Sequence, residues 1–120
     1  MLTLTAALHA GRTIKLDTAA GTVVTLPAAS GTGNIYRFLI TTIATSNSHI
    51  IKVANSSDSM IGLVMTISDD NGAPVKGYKA SGTDDTITLN RTTTGSVALG
   101  EWIEIQDVAA NLWAVRGMTM

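Results

Sequence analysis

The chain has 120 residues, enough for one domain with a sizeable core, and its formal net charge of −1 offers neither nucleic acid nor an anionic membrane an electrostatic footprint. Only 14% of residues are charged, against roughly 25% in a typical domain, while 18 threonines and 15 alanines supply much of the bulk. Cysteine is absent, which excludes disulfides, thiolate zinc sites and cysteine nucleophiles together.

The opening segment Met1–Ala10 alternates at Leu2 and Leu4 and has no cationic head, so it does not read as a secretory signal. It is either the first strand of the domain or an arm over residues 1–11 that adds a strand to a neighbour. From residue 12 to 120 one domain is expected, built from period-two segments broken by Gly, Asn, Asp and Pro clusters. Thr13–Asp17 places Ile14 and Leu16 on one face, and Thr22–Leu26 does the same with Val24 and Leu26 before Pro27 ends it. Gly31 and Gly33 make a turn ahead of the longest predicted strand, Ile35–Ile43, whose Tyr36, Phe38 and Ile40 share a face. His49–Ala54 follows a polar turn. Met60–Ser68 alternates with apolar residues on both faces, Ile61, Leu63, Met65 and Ile67 on one and Met60, Gly62, Val64 and Thr66 on the other, so it reads as a central or interface strand. Residues 69–85 read as a loop with one short strand at Val75–Lys79. Thr86–Arg91, Trp102–Val108 and Leu112–Gly117 complete the set, the last two as a hairpin through Ala109-Ala110-Asn111. The expected fold is a single antiparallel β-sandwich of jelly-roll or Greek-key type with eight or nine strands and no significant helix. No apolar run approaches the roughly 18 residues of a membrane-crossing helix.

Catalysis needs acids and bases that converge, and the spacing here offers no such set. His9 and His49 have no second ligand at metal spacing, so each reads as a surface or interface residue. Asp69-Asp70-Asn71-Gly72 looks like a fragment of a calcium loop, but the alternating oxygen ligands and the distant glutamate are missing, and turn chemistry accounts for it. Glu101 and Glu104, three apart on a strand, project to opposite faces and cannot pair as acid and base. Gly31-Thr32-Gly33 lacks the lysine and the helix of a phosphate loop. No cofactor or metal is expected, and the protein does not read as an enzyme. Trp102 falls on the strand face opposite Ile103 and Ile105, where it serves as a rim residue or as an interface anchor. Val23, Leu39, Met60 and Val64 are further apolar residues on nominally outward faces.

The runs Thr25-Leu26-Pro27-Ala28-Ala29-Ser30-Gly31-Thr32-Gly33, Tyr36-Arg37-Phe38 and Ser46 to Asn55, with Asp85 to Asn90 and Gly100 to Ile105 through Trp113-Ala114-Val115, resemble small virion structural proteins of tailed bacteriophages. The likeness covers about Arg12 to Gly117 and is closest to capsid decoration, or cement, proteins. Some related chains continue past the last strand, and no role of such an extension carries over. The resemblance implies a homotrimeric β-sandwich on the outer surface of the virion capsid, made in the host bacterial cytoplasm, with the major capsid protein as partner and no nucleic acid or membrane. On that expectation Leu39, Met60, Val64 and Trp102 form the subunit interface, and Leu2, Leu4, Leu8 and His9 contact the capsid. The competing expectation is a receptor- or glycan-binding sandwich module of a tail or head fibre, using Trp113, Tyr78, Asp69 and Asp70.

Overall fold

A computed structural model describes residues 1–68, 72 and 74–120; the Asp69–Asn71 part of the calcium-like run lies outside the described residues. The elements are β1 (Leu2–Thr3), α1 (Ala6–His9), β2 (Thr13–Leu16), β3 (Val23–Thr25), β4 (Ile35–Ile40), β5 (His49–Lys52), β6 (Ser59–Thr66), β7 (Lys76–Asp84), β8 (Thr86–Leu89), β9 (Trp102–Ala109) and β10 (Leu112–Thr119). The protein is all-β, with two sheets packed on one another. The smaller has the order β1-β3-β5-β8 and the larger β2-β4-β9-β10-β6-β7.

The expected antiparallel arrangement is corrected. β1 and β3, β3 and β5, β2 and β4, and β6 and β10 all pair in parallel. For the first three pairs the cause is the length of the connections. Residues 17–22, 26–34 and 41–48 join successive strands by about six to nine residues, too few for the crossover of a dozen or more that returns a strand parallel within its own sheet. They suffice to arch across to the opposing sheet about 10 Å away. From β1 to β6 the chain therefore alternates between sheets, and β3, β4 and β5 each arrive beside their predecessor but one, running the same way. A jelly-roll or Greek-key arrangement of antiparallel neighbours does not describe these pairings. Only then do hairpins appear, β6–β7 at one edge and β9–β10 inserted between β4 and β6.

Inward positions follow the period-two reading. Val24, Ile51 and Leu89 of the smaller sheet meet Ile14, Leu16, Tyr36, Phe38, Ile40, Ile103, Ile105, Trp113 and Val115 of the larger. Tyr36 meets Trp113 edge-on, with ring centroids 5.7 Å apart, a geometry that aromatic quadrupoles favour.

Three further expectations change. The predicted loop at 69–85 contains a nine-residue strand, β7, whose Gly77, Ser81 and Gly82 hide its periodicity. The first segment contributes a strand, so ten are present among the described residues. It also contains one four-residue helical turn, α1, in keeping with the expectation of no significant helix. Thr5 caps it by accepting from the Leu8 N–H, and His9 Nδ1 accepts from the Thr5 N–H at 3.0 Å. His49 is fully buried rather than at the surface. Its Nδ1 accepts from the Thr22 N–H at 3.0 Å and its Nε2 donates to the Thr42 carbonyl at 2.7 Å, so the ring ties the arch that leads into β3 to the arch that leads into β5.

Candidate functional site

Paired strands present facing residues on one side of the sheet, so the registers lay out the outer face of the six-stranded sheet in rows. One row runs Lys15, Leu39, Trp102, Met118, Met65, Gly77. The next runs Thr13, Arg37, Glu104, Arg116, Leu63, Lys79, and the third Ile35, Gln106, Ala114, Ile61, Ser81. Two apolar rows thus bracket a charged one. Leu63 is 62% exposed, and Ile61, Met65 and Ile67 are also open to solvent, an apolar stripe longer than scattered surface hydrophobics produce.

At the centre Glu104 accepts from Arg37 at 2.8 Å and from Arg116 at 3.1 Å. The carboxylate is 12% exposed, but both guanidiniums stay more than half exposed. The Arg37 bond, helped by Arg116, outweighs partial burial and holds the Glu104 carboxyl below its ordinary range. Arg37 also lies 5.8 Å from the centre of the Trp102 ring, within cation–π reach. Trp102 is therefore half-buried, with one face occupied by a cation.

The residues expected at a subunit interface divide between the two sides of the sheet. Leu39 and Trp102 lie on the outer face. Met60 is 1% exposed in the core, a correction that follows from its pairing with inward Trp113. Val64 also points inward and is packed against the core. It lines a cleft of about 320 Å³ beside Tyr78, Ala80, Ile87 and Leu89, where the β6–β7 hairpin overhangs the smaller sheet. The strand was rightly read as apolar on both faces, but the exposed face is that of Ile61, Leu63 and Met65.

Of the residues expected to contact a capsid, Leu4 is buried and Leu2 packs against the core. The Leu4 N–H donates to the Thr25 carbonyl at 2.9 Å, so this stretch is held in the sheet rather than free as an arm. Leu8 remains exposed on α1, and His9 is half-buried. For the glycan expectation, Trp113 lies in the core and cannot stack on a sugar, and the Tyr78 hydroxyl donates to the Thr93 carbonyl. Asp69 and Asp70 lie outside the described residues.

Three buried carboxylates escaped the sequence reading because nothing local marks them. Glu101 accepts four backbone N–H bonds, from Ser96, Val97, Ala98 and Met120, and so fastens a loop and the last residue to the start of β9. Asp107 accepts from the N–H groups of Ser30, Gly31 and Thr32 and from the Thr32 hydroxyl. Burial alone would raise its carboxyl, but the bonds from Gly31, Ser30 and Thr32 together hold it below the usual value. Asp58 accepts from the Ala29 N–H at 3.0 Å. The glycine turn that fails as a phosphate loop thus does offer its amides to an anion, and the anion is the protein's own Asp107.

No group of three or more histidine, aspartate or glutamate side chains that could hold a metal ion occurs among the described residues. The chain matches no family model, no curated protein and no solved structure.

Proposed function

We propose that this protein is a structural subunit of a tailed-phage virion that sits on the outer surface of the head as a homotrimer and ties neighbouring coat subunits together. The observation that carries the reading is the broad outer face of the six-stranded sheet, apolar in two of its three rows and open to solvent. A cement protein opposes separation of coat subunits under DNA pressure by binding free energy alone, which needs complementary surface and no reacting group. Six strands about 4.8 Å apart and three outward rows give a footprint of about 400–500 Å², the size of a weak interface rather than a permanent one. Three linked copies convert such modest contacts into tight attachment through their high effective concentration.

Co-sedimentation with expanded, empty heads assembled from a tailed-phage major capsid protein tests the reading. The protein is expected to pellet with the heads and to raise the temperature at which they break open, and light scattering of the free protein is expected to give a trimer mass. Protein that stays in the supernatant at low salt overturns the head assignment, and a monomer mass overturns the trimer.

A further inference from the structure

We infer that the outer face of the six-stranded sheet docks a protein surface that interleaves carboxylates with aliphatic side chains, and that it does not serve as a contact between identical faces of two copies. The inference extends the function proposed above by giving the partner's chemistry, and it does not require that partner to be a coat protein.

Charge segregation is the first argument. Lys15, Arg37, Arg116 and Lys79 stand on the first two of the three rows, with Glu104 the one carboxylate among the row residues and Asp84 reaching only Ser81 at the edge of the third. Arg12 and Asp17 bracket β2 and offset each other. The whole chain has eight Lys and Arg against nine Asp and Glu, so a nearly neutral protein carries one distinctly basic face. Two such faces laid together would set four cations against four in a water-poor layer, where like charges repel most strongly. Carboxylates set among apolar groups meet the opposite situation.

Donor capacity points the same way. A guanidinium has five N–H donors, and Arg37 gives one bond to Glu104 while Arg116 gives three to Glu104 and Gln106. Both forks retain donors, and Glu104 with the Trp102 ring already fixes where they stand. A partner carboxylate would thus meet guanidiniums whose ordering cost is largely met within the fold.

The apolar rows decide the class of partner. Leu39, Met118, Met65, Leu63 and Ile61 flank the charges at strand spacing, and a phosphate backbone has nothing to bury against them. An acidic protein surface does.

Trp102 provides the measurement, because it lies in the face while Trp113 is sealed in the core. Its fluorescence is followed during titration with a soluble peptide alternating glutamate with valine, with a lysine–valine peptide and with oligothymidylate, while light scattering follows self-association. The glutamate peptide is expected to bind and to weaken as salt rises; the other two are not. Glu104→Gln removes the face's own anion while its amide oxygen still accepts from the guanidiniums and keeps them placed, so it is expected to tighten binding by about threefold, whereas Arg37→Gln with Arg116→Gln weakens it by about tenfold. If the double variant unfolds, Lys15→Gln with Lys79→Gln on the edge strands makes the same test. Equal binding of both peptides, preference for the oligonucleotide, weaker binding on Glu104→Gln, or self-association abolished by Leu63→Glu each overturns the inference. Failure on heads with success on the glutamate peptide overturns the virion reading alone.

Discussion

Two carboxylates hold more of this fold than their positions in the sequence suggest. Glu101 precedes a strand and resembles any surface glutamate, yet it satisfies four backbone donors, that of Ser96 buried and the other three partly so. Glu101→Ala is expected to cost about 3 kcal/mol or more in chemical denaturation, because hydrogen bonds to a charged acceptor and stranded donors both count. Asp107 adds a pH signature. Its carboxyl lies below the ordinary value in the folded protein, so the charged form favours folding. That stability is present above the unfolded carboxyl value near 4 and is lost as pH falls through the lower folded value. Asp107→Asn should therefore lower stability at pH 7 and flatten its fall on acidification, as read by urea midpoints across the acid range. An acid limb unchanged from the parent protein would refute this placement. Neither role was legible beforehand: the amides at Asp107 come from more than seventy residues away, and those at Glu101 come mainly from the loop just before it, whose turn no residue pattern announces.

At the scale of elements, alternation located nearly every strand and its buried face, because burial on one side imposes period two on any strand whatever its neighbours. Ile14 and Leu16, Val24, and Tyr36, Phe38 and Ile40 all point inward as their spacing required. β7 was legible only at its start, because two glycines and a run of polar residues suit an edge hairpin exposed on both faces. Glycine here has two different meanings. Gly62 in β6 has φ of 123°, and a Cβ there would stand 1.9 Å from the Val115 carbonyl oxygen of β10. Gly77 in β7 has ordinary φ and open space around it. Gly62→Ala is expected to destabilise by more than about 3 kcal/mol, through strain and a broken parallel pairing. Gly77→Ala should be neutral or stabilising by a few tenths to about 1 kcal/mol. Melting temperatures of the two variants compare these directly, and equal effects would contradict the registry of β6 on β10.

At the scale of the molecule, the two-layer all-β character was legible and the direction of the strands was not. Parallel and antiparallel strands share the same alternation, and a short connection reads equally well as a hairpin or as an arch between sheets. The outer face was half legible for the same reason: Leu39 and Trp102 were correctly turned outward, but Met60 and Val64 were assigned to the wrong side of their strand. Pattern alone separates two faces without saying which one is covered.

The place of the β9–β10 hairpin between β4 and β6 sets an order of assembly. The centre of the larger sheet is made last in the chain, so during synthesis β4 and β6 emerge with facing edges that have no partner until residues 102–119 leave the ribosome. Closure of the sheet then waits on contacts distant in sequence, a topology that folds slowly and exposes unpaired edges meanwhile. A nascent chain arrested before Trp102 would present two sticky strand edges, and chaperone capture is expected to peak there and fall once the final hairpin slots in.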